Sequence, residues 1–79
     1  MAIRLNQLRP GESGVVQSVA GGFGMVSRLE SLGLRPGKVV TKVSSQFLAG
    51  PVTVMVDGRQ LAIGRGMAAK VQVEVISQR

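Results

Sequence analysis

Along this chain the hydrophobic and polar positions follow first a two-residue period, then a helical one, then two-residue again. Met1–Pro10 alternates apolar and polar residues, and Pro10-Gly11-Glu12-Ser13-Gly14 reads as a turn. Val15–Val19 then predicts a strand. After the break at Gly21-Gly22-Phe23-Gly24, apolar residues recur at Met25, Val26, Leu29 and Leu32. On a helix these cover an arc of about 120°, with Ser27, Glu30 and Ser31 opposite. The helix has a stop: Gly33 suits the left-handed position after it, Leu34 can pack back on Leu29 in a Schellman motif, and Pro36 forbids continuation. Beyond the turn Arg35-Pro36-Gly37-Lys38, the two-residue period returns in Val39–Val43. Gln46–Pro51 reads as a loop, Val52–Val56 as a strand, Asp57-Gly58 as a hairpin turn, and Gln60–Ile63 as its return. Gly64-Arg65-Gly66 breaks that strand, Met67–Lys70 makes one helical turn, and Val71–Ile76 is a last strand.

Five short strands, each with one apolar face, cannot build a parallel sheet covered on both sides in so few residues. Curled together, they can place Val15, Val54, Leu61 and Val73 in one interior, and closure removes exposed edges. The expected fold is mainly β, a single domain over residues 1–79. It is a small SH3-like β-barrel of about five strands with one α-helix inserted between the first and second. Met25, Leu29 and Leu32 would plug one end of the barrel.

Composition narrows the chemistry more than the fold. The 79 residues contain no cysteine and no histidine, so disulfides, thiolate metal sites and the usual nucleophile–base pairs are absent. The acids Glu12, Glu30, Asp57 and Glu74 fall on different elements: two turns, the polar helix face and an outer strand face. Gly64-x-Gly66-x-x-Ala69 matches the dinucleotide pattern on paper, but no βαβ unit or later acid accompanies it. Gly37-Lys38 lacks a glycine-rich run before it. No enzyme activity, catalytic residue, metal ligand set or cofactor is expected. Met25 and Met67 fit core positions. Met55 is flanked by inward Val54 and Val56, so it should face outward beside Thr53, Val40 and Ala62 as a contact residue.

Ten basic against four acidic residues give a formal charge of +6. No two basic residues are adjacent, and Phe23 and Phe47 are the only aromatics. A solvated basic surface, or attraction to an acidic protein partner, therefore fits better than a nucleic acid. The N-terminus lacks the apolar core of a secretory signal, and no uncharged stretch reaches membrane-spanning length. A soluble, cytoplasmic protein is expected.

Four segments, in order, resemble the FeoA family of bacterial ferrous-iron uptake: Leu5–Val16, Arg28-Leu29-x-x-Leu32-Gly33-Leu34-Arg35-Pro36-Gly37, Leu48–Val52 and Leu61–Val73. The resemblance implies an SH3-like barrel and a non-enzymatic role supporting the iron permease FeoB through its cytoplasmic GTP-hydrolysing domain. Contact with the membrane would then be through that partner alone. The same domain type occurs at the C-terminus of metal-dependent repressors. An initial Met and no helix-turn-helix favour the free-standing form here, with a metal-responsive regulatory module as the alternative and a basic nucleic-acid-binding barrel behind it. The helix carries Ser27, Glu30 and Ser31 where relatives are often richer in Arg. Arg28 and Arg35, at the helix and its exit, are the expected partner contacts together with Met55. A weak divalent-ion contact and self-association stay open.

Overall fold

The computed structural model describes residues 1–44 and 50–77. Six strands make one antiparallel sheet in the order β1-β6-β2-β3-β4-β5. They are β1 (Ala2–Arg4), β2 (Ser13–Val19), β3 (Val39–Ser44), β4 (Val52–Val56), β5 (Arg59–Ile63) and β6 (Val71–Ser77). Helix α1 is Phe23–Ser31, between β2 and β3, and α2 is the short Arg65–Ala68. The extra strand relative to expectation is β1, which pairs with β6 and is followed by a 3-10 turn at Leu5–Gln7. The inserted helix thus lies between the second and third strands. Most of the expected loop Gln46–Pro51 lies outside the described residues; Gly50 and Pro51 lead irregularly into β4.

Local chemistry explains most elements. Arg9-Pro10-Gly11-Glu12 and Arg35-Pro36-Gly37-Lys38 are both turns with proline second and a positive-φ glycine third, Gly11 at 89° and Gly37 at 94°. Lys38 N–H closes the second onto Arg35 C=O at 3.1 Å. Helix α1 ends as the Schellman pattern requires. Leu34 N–H donates to Leu29 C=O (3.1 Å), Gly33 N–H donates to Glu30 C=O (3.0 Å), and Gly33 has φ 102°. Leu29 and Leu34 are both fully buried. Asp57 (φ 52°) and Gly58 (φ 76°) form a two-residue hairpin turn of the type that matches strand twist.

Leu5, Leu8, Val16, Leu29, Leu34, Val40, Val54, Val56, Val71 and Val73 form the centre of the core. Of the helix, Leu29 is buried completely, while Met25 and Leu32 pack on the core and stay partly exposed. On two strands the inward side differs from the expected alternation. Val15 lies opposite Val39 on the outer side, and Val16 fills the core in its place. The β2–β6 register shifts between Val16 and Ser18, so Val19 also reaches the core although it lies three residues from Val16. On β3, Val40 is fully buried instead of outward, and Lys42 points inward with it.

Among the described residues the sheet does not close by hydrogen bonds, since β1 and β5 each have a single strand neighbour there. Instead α2, leaving β5, packs on the 3-10 turn leaving β1. Lys42 bridges the same region from inside, donating from Nζ to the carbonyls of Leu8 (2.9 Å) and Asn6 (3.2 Å). Burial, and secondarily the charge of Arg65 on α2, push the Lys42 pKa below its ordinary value.

Candidate functional site

Arg28 and Arg35 stand on either side of the helix exit. Arg28 lies in the last turn of α1, where a cation complements the helix dipole, and its carbonyl accepts the Ser31 hydroxyl at 2.7 Å. Arg35 opens the Pro36-Gly37 turn. That turn is fixed to β2 on both sides: Gly37 N–H donates to Val16 C=O and Val16 N–H to Lys38 C=O, each at 2.8 Å. Both arginines are exposed.

The exit seats against the β4–β5 turn. A methyl group at Gly33 would come within 3.2 Å of Val56 Cγ1 and 3.9 Å of both Arg59 and Asp57. Lys38 Nζ meets Asp57 Oδ2 at 3.1 Å across this junction, an ion pair in which both side chains are substantially exposed. Arg59 therefore joins the basic rim that Arg28 and Arg35 had suggested. Its place was implicit in the sequence, because a two-residue Asp57-Gly58 turn puts Arg59 opposite Val56.

Met55 is half-buried on the other side of β4, opposite Thr41 on one strand and Gln60 on the next. It does not share a face with Val56, which meets the helix exit, so the three expected contact residues divide between the rim and the outer sheet. The apolar company of Met55 also changes. Ala62 is exposed as expected, but Val40 is in the core, and the exposed valines of β3 are Val39 and Val43. Phe23, at the start of α1, is 90% exposed and was not singled out by the pattern.

Three of the four acids are engaged, each by itself. Glu12 is buried and accepts Arg9 N–H at 2.7 Å while its own N–H donates to Arg9 C=O at 2.9 Å, locking the first Pro-Gly turn from both ends. Asp57 holds Lys38, and Glu74 meets the N-terminal ammonium. Among the described residues no three acids gather where they could hold a metal ion. A cleft of about 320 Å³ is lined by Met1, Ile3, Gln7, Arg9, Glu12 and Val75, and it includes none of the three contact residues. No described helix is long and apolar enough to cross a membrane.

The FeoA domain family matches residues 3–75, nearly the whole chain. This chain belongs to the FeoA family. A relative from Methanocaldococcus jannaschii, whose name assigns it as an Fe(2+) transport protein A, is 36% identical over 66 residues, covering 84% of this chain and 78% of the relative. A crystal structure described as the iron uptake regulatory protein FeoA superposes with a TM-score of 0.88 at 34% identity, over 96% of this chain and 99% of the other. The T. acidophilum IdeR structure contains the same fold as about a third of its length: TM-score 0.84, 26% identity, 95% of this chain and 34% of that one. The FeoA fold thus occurs both alone and inside larger proteins, and the small β architecture expected from the sequence is the one observed.

Proposed function

We propose that this FeoA-family chain is a cytoplasmic, non-catalytic accessory protein of ferrous-iron uptake that acts by binding the cytoplasmic GTPase part of the permease FeoB. The observation that carries this reading is the family match over residues 3–75, together with a relative named as an Fe(2+) transport protein A. The chemistry agrees with it. The described acids are dispersed and three of the four are engaged, whereas Arg28, Arg35 and Arg59 stand exposed around the helix exit. Such a surface suits contact with an acidic protein face better than tight retention of iron. Arg28 and Arg35 are the contacts at the helix exit, and Met55, with Val39, Val43 and Ala62 beside it on the outer sheet, supplies an apolar one.

The test is an NMR titration of the isotope-labelled chain with the soluble GTPase domain of its permease. Amides around Arg28 and Arg35 should shift, and an Arg28→Ala, Arg35→Ala double variant should bind at least about tenfold more weakly, given roughly 1.4 kcal/mol per tenfold change. An unchanged spectrum at millimolar GTPase domain would reject a direct contact.

A further inference from the structure

The two edges of the sheet are not equivalent. In the β4–β5 hairpin the two-residue turn makes Val56 and Arg59 the closing, hydrogen-bonded pair. Alternation then makes Val54–Leu61 and Val52–Ile63 hydrogen-bonded, and Met55–Gln60 and Thr53–Ala62 not. The N–H and C=O groups of Gln60 and Ala62 therefore point away from β4, and among the described residues β5 has no second strand neighbour. Both residues are exposed. At the opposite edge β1 has only three residues, and the outward N–H of Arg4 already donates to its own Gln7 Oε1 at 2.8 Å.

Sheets usually defend an open edge with a proline, a bulge or an inward charge. β5 has none of these. It contains no proline, and its pairing with β4 runs without a register shift. What it does carry is charge at its ends. Arg59 begins the strand and Arg65 follows it on α2, and neither enters an ion pair among the described residues. In a chain of net charge +6, this favours an acidic occupant over a second copy, whose like charge would oppose pairing.

We propose that the free edge of β5 is a docking site for an extended acidic segment of a protein partner. The segment adds to the sheet as a seventh strand, bonded through the main chains of Gln60 and Ala62, with its carboxylates against Arg59 and Arg65. This proposal is independent of the partner's identity, and of the basic rim at the helix exit it shares Arg59 but not Arg28 or Arg35.

A capped peptide of alternating valine and glutamate is the probe, with a lysine-for-glutamate version as its control. On adding the acidic peptide, the Gln60 and Ala62 amides should shift and their hydrogen exchange should slow at least about tenfold. Binding should weaken steeply with salt and be absent for the lysine peptide. Ala62→Pro removes one edge donor without touching the β4 ladder and should abolish binding, whereas Ala62→Ser should keep it. An Arg59→Glu, Arg65→Glu variant, which leaves the backbone alone, should reverse the peptide preference and guards against a proline variant that fails to fold. Shifts centred away from β5, equal binding of both peptides, or no shift at millimolar peptide would overturn the proposal. So would light scattering that reveals a dimer dispersed by Ala62→Pro, because the occupant would then be a second copy.

Discussion

Lys42 links a single side chain to the pH dependence of the whole fold. Its ammonium is buried against two carbonyls, with the charge of Arg65 nearby, and its pKa lies below the ordinary 10.5. Between the folded pKa and 10.5 the unfolded chain holds a proton that the native chain has lost. Stability therefore rises with pH in that window, by at most about 1.4 kcal/mol per pH unit, and the gain disappears as pH falls through the folded value. Urea melts of the native chain and a Lys42→Met variant, run from neutral pH towards 10.5, should give a stability difference that moves in favour of the native chain as pH rises. A constant difference would show that Lys42 titrates as it does in the unfolded chain. Gly33 is the second residue with a decisive local role. Gly33→Ala combines a φ of 102° with a 3.2 Å approach to Val56, and should cost about 1–2 kcal/mol in thermal or denaturant melts. That glycine was legible in the sequence, because the stop signal Gly33-Leu34-x-Pro36 is local. The direction of Lys42 was not. Binary alternation sends a lysine outward and takes Val40 with it, whereas here carbonyls from a distant 3-10 turn receive the ammonium and reverse the strand.

Among the elements, α1 depends on one side chain. Leu29 alone is wholly buried from the helix proper, so Leu29→Ala should cost about 2–5 kcal/mol. A domain of this length holds only roughly 4–12 kcal/mol in total. The variant should therefore melt far below the parent, while Phe23→Ser, at a 90% exposed position, should melt within about 0.5 kcal/mol of it. Elements defined by short-range signals were legible: the helix, both Pro-Gly turns, the Asp57-Gly58 hairpin and the final strand. β1 was not, since three residues carry little intrinsic preference and the strand exists because β6 pairs with it. The inward side of β2 was obscured in the same way, by a register shift against β6 that only the pairing discloses. Of the candidate site, the arginines at the helix exit were legible from the same stop signal. The place of Arg59 opposite Val56 was implicit in the hairpin turn, but its nearness to the helix exit, like the exposure of Phe23, emerged only once hairpin and helix had been placed against the sheet.

For the whole molecule, the manner of closure decides where the fold is weakest. β6, β2, β3 and β4 are each paired on both sides, while β1 and β5 rely on one neighbour and on α2 packed against the 3-10 turn. Native-state hydrogen exchange should find the slowest amides in the central strands, and should find Gln60 and Ala62 among the fastest of all strand residues. Equal protection across the sheet would mean that the gap between β1 and β5 is bridged in solution.

The placement of β6 bears on how the protein comes into being. The last strand of this domain sits between its first two, pairing with Ala2–Arg4 and with Ser13–Val19. A nascent chain on the ribosome therefore holds β1 without any strand to pair with, and β2 with only one of its two partners, until residues 71–77 clear the exit tunnel. Assembly of the domain therefore waits on its final strand and is governed by long-range pairing, which leaves the apolar strands made earlier exposed until it arrives.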